Sequence, residues 1–427
     1  MSYFKLYPDI MHHKGNKRGT LYLLGHGRSI HLNSRESEVF EFLINHSVEE
    51  TEDKVGAGTT RKLVEYLLLN SLGSVYSENV HVEAYRENNN FNIEGYFEAP
   101  FELDTLYIQL TDECFMNCDF CGENESIEFQ GCNSCAVWNS GYKTKNNLTE
   151  QSLMQLTDFK INNVIFSGGN PLQEWNLLLK AIGVFYNVGN SNIFIHCVPS
   201  AIDESKIKTL SQYNVTIILN VFDANSGKEQ MNEHLPNATS LIEEYGLNYQ
   251  FNLILTESNY NSFQLNMNKL DTYNATQIHC AELININNSH SFIVSSPTGQ
   301  DRLEDIDYSQ YYYRGRFNAC LNRKLAICSN GDIQPCPFIN DKLGNLHEEG
   351  GIYEVVKHNL HKRYWQRNKS KVSVCSECEN RFACVDCTNL ELKIEDNKQL
   401  RGLMCSYDPV KSSWKDEEER SDFNWGL

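Results

Sequence analysis

Three cysteines lie within a short run of the chain, at Cys114, Cys118 and Cys121, directly after the apolar segment 106–110. Three thiolates at this spacing can hold three irons of a [4Fe–4S] cube, whereas electron-carrying ferredoxins ligate all four irons with cysteine. The fourth iron would therefore stay open to a substrate or cofactor. A zinc loop is the alternative that the cysteines alone leave open.

A second candidate for ligand binding follows the strand-like segment 163–166 and consists of Gly168, Gly169, Asn170 and Pro171. Two glycines between a strand and the next helix let the backbone approach a ligand closely, because neither carries a side chain. The G-G-x-P pattern is weak by itself. Its position downstream of the three cysteines makes it a supporting motif.

Eight further cysteines are concentrated near the C-terminus, where C-x2-C pairs recur. In a chain with fifteen cysteines, this pattern favours metal or redox chemistry over a disulfide framework. Iron–sulfur clusters and two four-cysteine zinc sites both suit the spacing. The eight are Cys320, Cys328, Cys336, Cys375, Cys378, Cys384, Cys387 and Cys405.

Four cysteines remain outside these groups. Cys132 and Cys135 form another C-x2-C pair, which suits a further metal site or a redox dithiol and is left unassigned. Cys197 and Cys280 are isolated in the sequence, so we expect them to be small apolar core residues rather than ligands.

The C-x3-C-x2-C run, with the aromatic Phe120 before its last cysteine, resembles the signature of the radical S-adenosylmethionine (SAM) superfamily. In that family the open iron chelates the amino and carboxylate groups of SAM. One electron from the cluster then breaks the S–C5′ bond and gives a 5′-deoxyadenosyl radical, which abstracts hydrogen from a substrate. The resemblance implies that Cys114, Cys118 and Cys121 ligate this cluster.

The same resemblance assigns residues to the cofactor. It implies that the glycine turn binds the amino group of SAM, with Asn170 at the position where the family has an acidic residue. Asn170 can accept a hydrogen bond but carries no charge to pair with an ammonium group. Ser200 and Asn220, near the ends of later strands, are expected to contact the ribose and the methionine carboxylate. Phe120 is likewise expected to bind the cofactor.

The C-terminal cysteines resemble the SPASM domain of peptide-modifying radical SAM enzymes, which holds two auxiliary [4Fe–4S] clusters. Together with the SAM-binding cluster, this implies three clusters in the chain. One spacing departs from the family, because Cys384 and Cys387 enclose two residues where three are usual. The implied ligands are Cys320, Cys328, Cys336 and Cys387 for the first auxiliary cluster, and Cys375, Cys378, Cys384 and Cys405 for the second.

The elements that position these motifs alternate between strand and helix from about 105 to 300. Such alternation predicts an α/β fold with a parallel sheet and right-handed crossovers. The resemblance makes it a partial (β/α)6 TIM barrel, the radical SAM core, with its site at the carboxyl ends of the strands. The predicted strands are 106–110, 163–166, 193–196, 215–219 and 249–255.

Residues 1–90 read as a small α+β domain of short strands followed by helices. Asn33 with Glu36 predicts a capped first helix, and Thr59 or Thr60 is expected to cap a second from Arg61. The pattern is similar to the winged-helix-like RiPP recognition element, which binds the leader of a ribosomally made peptide as an added strand. A DNA-binding winged helix is the alternative, which the acidic helices disfavour.

Composition limits the remaining classes. The net charge of −19 disfavours nucleic-acid binding, which needs positive surface. No apolar run is long enough to span a bilayer, and residues 1–9 lack the pattern of a signal peptide, so we expect a cytoplasmic protein that does not bind membranes. Residues 301–427 lose the strand–helix alternation, which suits the cysteine-rich SPASM assignment.

Together the resemblances imply a radical SAM peptide maturase. It would bind a precursor peptide through a leader on residues 1–90 and install a thioether, C–C or C–O cross-link, with electrons from a donor such as flavodoxin or ferredoxin. Two alternatives stay open: a formylglycine-forming enzyme similar to sulfatase maturases, and a non-catalytic partner that only binds leader peptide. The sequence indicates neither the precursor nor a general base.

Overall fold

The computed structural model describes the chain in ten stretches. They are residues 1–84, 100–111, 126–132, 135–139, 146–189, 191–221, 229–255, 262–284, 303–384 and 405–414. The chain divides into two units. The first comprises Met1–Ala99, Ser296–Cys320 and Gln366–Leu427, and the second comprises Pro100–Ser295 and Leu321–Trp365. Three functional domains, at 1–90, 105–300 and 301–427, stay a prediction.

Strands and helices alternate through much of the described chain. The strands are β1 (Tyr3–Leu6), β2 (Ile10–Lys14), β3 (Gly19–Leu23), β4 (Arg28–Leu32), β5 (Gly73–Tyr76), β6 (Glu102–Thr111), β7 (Ser126–Cys132), β8 (Cys135–Asn139), β9 (Lys160–Gly168), β10 (Asn192–Cys197), β11 (Val215–Val221), β12 (Asn248–Leu255), β13 (Ile278–Ile284), β14 (Lys324–Ile327), β15 (Asp332–Gln334), β16 (Gly344–Asn345), β17 (Tyr407–Asp408) and β18 (Ser413–Trp414). The α-helices are α1 (Ser34–Leu43), α2 (Val48–Val55), α3 (Ala57–Leu69), α4 (Glu150–Met154), α5 (Trp175–Val188), α6 (Glu204–Leu210), α7 (Glu229–Glu244), α8 (Phe263–Leu270), α9 (Tyr308–Arg316), α10 (Gly351–Lys357) and α11 (Lys362–Trp365).

Helix caps define the N-terminal part of the first unit. Asn33 caps α1 in a complete capping box with Glu36, as predicted. Ser47 and Glu50 form a second capping box that starts α2, a helix the sequence analysis missed although the S-x-x-E signature is present. The expected cap at Thr59 or Thr60 is wrong, because α3 begins earlier, at Ala57.

The three-stranded antiparallel sheet β2-β3-β4 has apolar contacts on both faces. On one face it packs against α1 and α3 around Leu21 and Phe40. On the other face, Met11 and Tyr22 pack with Tyr311 of α9 and with Phe382. The sheet is therefore an inner layer of the first unit, and its open backbone lies along its edges.

The second unit is built on an eleven-stranded mixed sheet. Its strand order is β16-β15-β14-β6-β9-β10-β11-β12-β13-β8-β7, and every pair from β14 to β8 is parallel. The strands β6 and β9 to β13 are connected through α4, α5, α6, α7 and α8. This arrangement confirms the predicted α/β fold with a partial (β/α)6 barrel.

The sheet differs from the prediction at its ends. The sixth barrel strand, β13, was not predicted, and neither was the β7–β8 hairpin beside it. Strand β14, from the cysteine-rich C-terminal part, pairs with β6 in the same sheet. Strand β7 lies near β9 and β10 although it is an edge strand, so the sheet curls toward a barrel. No helix of the described residues is long and apolar enough to cross a bilayer.

Replacing Phe40 by Ala tests the core of the first unit. The ring is fully buried among α1, α3 and the sheet, so we expect Phe40→Ala to lower the free energy of unfolding by about 3–5 kcal/mol. Urea unfolding of the full chain measures the loss. The control is Leu69→Ala on α3, where the side chain is 78% exposed and the change should stay within about 0.5 kcal/mol. Equal midpoints for the two variants would contradict this packing.

Candidate active site

The two faces of the parallel sheet carry different side chains. On the outer face, Phe166 of β9 contacts Phe185 of α5, with ring centroids 6.2 Å apart. On the inner face, Tyr107, Ile165 and Ala326 form a small apolar cluster. Because side chains alternate along a strand, Ser167 points to the same inner face as Ile165, one step closer to the carboxyl end of β9.

A layer of polar side chains lies on this inner face, toward the carboxyl ends of the strands. The pairing puts Gln109 beside Ser167 and Asn220 beside Asn252, and His196 shares their face. All five are buried. Buried polar groups on neighbouring strands at this end of a parallel sheet form the usual position of a barrel active site.

Hydrogen bonds in the polar layer converge on one amide oxygen. Asn252 Nδ2 donates to Asn220 Oδ1 at 2.9 Å, and His196 Nδ1 lies 3.1 Å from the same oxygen. In this orientation of the Asn220 amide the oxygen accepts, so His196 carries its proton on Nδ1. Burial lowers the pKa of His196 to about 4, against the opposing effect of the hydrogen bond to Asn220. The imidazole is therefore neutral at physiological pH.

Three buried atoms of the layer lack a hydrogen-bond partner among the described residues: Ser167 Oγ, His196 Nε2 and Asn220 Nδ2. Leaving a buried polar group unmatched costs about 1–3 kcal/mol. A ligand rich in hydrogen-bonding groups would satisfy these atoms. The layer therefore fits a polar cofactor such as SAM, and it offers an acceptor, a donor and a hydroxyl.

The glycine turn adjoins the end of β6. Gly169 N donates to Thr111 O at 2.8 Å. Gly168 has a φ of 111°, and a Cβ at this position would come within 2.2 Å of Thr111 O. Only glycine allows this approach. Thr111 shortly precedes Cys114, so the turn lies where the chain leaves β6 for the cysteine run.

Asn170 and Pro171 complete the turn as a short 3-10 helix, Pro171–Gln173. Asn170 is buried, and its Oδ1 accepts a hydrogen bond from Leu172 N at 3.2 Å. The side-chain oxygen that sequence analysis reserved for SAM therefore already stabilises the turn.

The predicted cofactor residues lie at different places relative to the polar layer. Asn220 lies at its centre, whereas Ser200 lies in the 3-10 helix Pro199–Ala201 after β10. Cys114, Cys118, Cys121 and Phe120 fall outside the described residues. Sequence analysis missed other members of the layer, which are Gln109, Ser167, His196 and Asn252. Their signal was a polar residue at the carboxyl end of each otherwise apolar strand.

The isolated cysteines and the unassigned pair lie on the barrel strands. Cys197 is buried, and burial raises the pKa of its thiol, as befits a core residue. Cys280 is partly buried, with its sulfur 3.7 Å from Met267 Sδ. Cys132 and Cys135 are register partners at the end of the β7–β8 hairpin.

The cysteines assigned to the second auxiliary cluster all belong to the first unit. Burial raises the pKa of Cys378, and the charges of Glu379, Cys375 and Cys405 raise it further. As thiolates, Cys375, Cys378 and Cys405 would therefore repel one another, which a cation between them would relieve. The nine cysteines whose side chains the structure describes form no disulfide.

The first auxiliary set is only partly described, because Cys387 lies outside the described residues. Within the second unit, Phe338 N donates to the sulfur of buried Cys336 at 3.3 Å, a contact that stabilises a thiolate. No three His, Cys, Asp or Glu side chains of the described stretches are arranged to hold one metal ion. Both auxiliary ligand sets therefore stay predictions.

Comparison with known proteins gives one family match. The model of the radical SAM superfamily matches residues 108–237. This stretch contains the cysteine run, the glycine turn and the strands that carry Ser167, His196 and Asn220. No curated protein matches the chain.

Several solved structures are similar to two thirds or more of the chain. SuiB from Streptococcus suis bound to precursor peptide SuiA shows 16% identity and a TM-score of 0.45. The match covers 91% of this chain and 96% of the SuiB chain. SuiB bound to S-adenosylmethionine shows 16% identity and a TM-score of 0.48, and the match covers 90% of this chain and 96% of the SuiB chain. Native anSMEcpe with bound AdoMet and Cp18Cys peptide shows 13% identity and a TM-score of 0.44, and the match covers 66% of this chain and 88% of the anSMEcpe chain.

Replacing Gly168 by Ala tests the close contact between the turn and β6. The added Cβ would collide with Thr111 O, and the positive φ is strained for alanine. We therefore expect a loss of about 1–3 kcal/mol in unfolding free energy and weaker SAM binding, measured by urea unfolding and equilibrium dialysis. The control is Gly183→Ala in α5, where a Cβ meets no atom within 4 Å; it should be neutral or stabilising. A Gly168→Ala variant as stable as the wild type would contradict the geometry.

Acidification tests the buried neutral state of His196. The unfolded chain binds a proton near pH 6.5, whereas folded His196 binds one only near pH 4. Stability should therefore fall as pH drops from 6.5 to 4, by up to about 1.4 kcal/mol per pH unit from this group. His12 and His361 shift in the same direction.

We expect His196→Asn to flatten this pH dependence, because asparagine does not titrate. Ser167→Ala serves as the control, since losing a hydroxyl should change stability equally at every pH. Thermal unfolding of both variants between pH 4 and 7 provides the measurement, and an unchanged slope in His196→Asn would show that His196 is not buried in neutral form.

Proposed function

We propose that the chain is a radical SAM enzyme, because its residues 108–237 match the radical SAM superfamily, and that it matures a ribosomally made precursor peptide by installing a cross-link. The observation that carries the proposal is the buried polar layer beside the glycine turn. Its unmatched atoms Ser167 Oγ, His196 Nε2 and Asn220 Nδ2 lie at the carboxyl ends of the strands, on the side where β6 leads into Cys114.

The cofactors are SAM and a [4Fe–4S] cluster, which together supply a carbon radical able to take hydrogen from an unactivated C–H bond. We assign cluster ligation to Cys114, Cys118 and Cys121. The glycine turn, tied to Thr111 by the Gly169 N–H, shapes the wall beside the cofactor. The apolar cluster of Tyr107, Ile165 and Ala326 lies below the polar layer and excludes water from the bottom of the barrel.

The polar layer holds the cofactor without a formal charge from its own side chains. Gln109, Ser167, Asn220 and Asn252 are neutral by nature, and His196 is kept neutral by burial. A neutral layer avoids repulsion with the positive sulfonium of SAM. The residues thereby orient the cofactor by hydrogen bonds, which suits a reaction in which placement decides where the radical attacks.

The precursor is proposed to bind by its leader along β4. This strand pairs with β3 on one side, and no strand of the described residues pairs with its other edge. Helix α3 exposes Tyr66 and Leu69, 37% and 78% respectively, one helical turn apart. Burial and the charge of Glu36 raise the pKa of the Tyr66 hydroxyl, and the charge of Arg28 lowers it. The Tyr66 ring therefore lies near the start of β4. A free strand edge next to exposed apolar side chains suits β-augmentation.

We extend the proposal to two auxiliary [4Fe–4S] clusters, whose ligands would be the eight C-terminal cysteines. The charge interactions at Cys378 and the N–H···S contact at Cys336 support it. A donor such as flavodoxin or ferredoxin would deliver electrons. We place the enzyme in the cytoplasm, where reducing conditions preserve the cluster thiolates.

Reductive cleavage of SAM tests the enzyme class. Reconstituted protein with dithionite should release 5′-deoxyadenosine, measured by liquid chromatography, and Cys118→Ala should abolish the release because one cluster ligand is lost. Cys280→Ala is the matched control, since this cysteine contacts Met267 in the protein interior. A wild-type chain that binds iron but releases no 5′-deoxyadenosine would favour a non-catalytic leader-binding partner.

Co-expression with a candidate precursor tests peptide maturation. We expect a loss of two hydrogens per cross-link by mass spectrometry, and we expect Leu69→Asp to reduce the modified fraction at least tenfold because a charge enters the apolar contact with the leader. The control is Leu265→Asp on α8, where leucine is 63% exposed. Equal modification by the two variants would place the leader elsewhere.

A further inference from the structure

The amide of Asn220 is held from two directions. Its Oδ1 accepts from Asn252 Nδ2 at 2.9 Å and lies 3.1 Å from His196 Nδ1. Each of these three residues comes from a different neighbouring strand, β11, β12 and β10. All three are buried, so water does not compete for the oxygen.

Together with the orientation of Asn252, the two contacts set which way the Asn220 amide faces. Rotating the Asn220 amide alone by half a turn would place its NH2 against the NH2 of Asn252, two donors without an acceptor. The same rotation would also remove the acceptor for the Nδ1 proton of His196. In the observed orientation, Asn220 Nδ2 has no hydrogen-bond partner among the described residues. Asn220 therefore presents N–H donors to the site rather than its amide oxygen.

We propose that His196 is a positioning residue that, together with Asn252, fixes the amide of Asn220 so that its N–H bonds meet an acceptor oxygen of bound SAM. The assignment of the ligand depends on the radical SAM function proposed above. The orientation itself depends only on the polar layer. His196 acts through Asn220, because Nδ1 of His196 contacts the amide oxygen of Asn220.

A pair of substitutions separates the hydrogen bond from the mere presence of a polar side chain. The amide nitrogen of asparagine occupies the position of imidazole Nδ1, whereas that of glutamine occupies the position of Nε2. We therefore expect His196→Asn to bind SAM within threefold of the wild type, and His196→Gln to bind about tenfold more weakly. Equilibrium dialysis of reconstituted protein with radiolabelled SAM measures both dissociation constants.

Asn252→Asp tests the same orientation from the other side. A carboxylate of the same shape accepts where Asn252 donates, so it should turn the Asn220 amide and weaken SAM binding about tenfold. The matched control is Asn266→Asp, another buried asparagine of the second unit, on α8, which should bind SAM within twofold of the wild type. If His196→Gln and Asn252→Asp both bind SAM as tightly as the wild type, the proposal is overturned.

The tautomer of His196 provides a test that needs no cofactor. In the full chain labelled with ¹⁵N-histidine, the resonance lost in His196→Asn should be that of a neutral ring protonated on Nδ1. If His196 of the wild-type chain is instead protonated on Nε2, the proposed orientation is overturned. This result does not depend on whether the SAM-binding variants fold. A wild-type chain that shows the Nδ1 tautomer but does not bind SAM would leave the orientation standing and refute the proposed function.

Discussion

The second unit depends on a close backbone contact between two neighbouring strands at their carboxyl ends. Gly169 N donates to Thr111 O, and Gly168 leaves the space that this approach requires. The contact brings the end of β9 against the end of β6, from which the chain continues to Cys114. A side chain at Gly168 would push the end of β9 away from the end of β6, so this contact depends on a missing Cβ.

The polar layer shows why the barrel interior divides into two levels. Below it, Tyr107, Ile165 and Ala326 fill the space with apolar contacts. Above it, hydrogen-bonding groups are buried without a partner among the described residues, a cost that the rest of the fold must offset. The first unit differs, because both faces of its sheet β2-β3-β4 are covered, and among the described residues its strand edges are what the sheet offers a peptide.

The sequence predicted the strands whose apolar runs are long, and Asn220 among the polar residues that follow them. It missed β13, whose polar His279 and Glu282 interrupt the apolar pattern, and β14, whose pairing with β6 joins distant parts of the chain. Single-sequence periodicity carries no information on such long-range pairing. His196 and Asn252 escaped notice because their role arises from hydrogen bonds across strands, not from spacing along the chain.

The central claim is that three cysteines hold a four-iron cluster with one iron open to SAM. Mössbauer spectroscopy of the ⁵⁷Fe-labelled protein tests it most directly, before and after SAM is added. We expect one iron of one cluster to change its isomer shift, because only an iron without a cysteine ligand can bind the cofactor. Zinc in place of that cluster, or a spectrum that SAM leaves unchanged, would contradict the account.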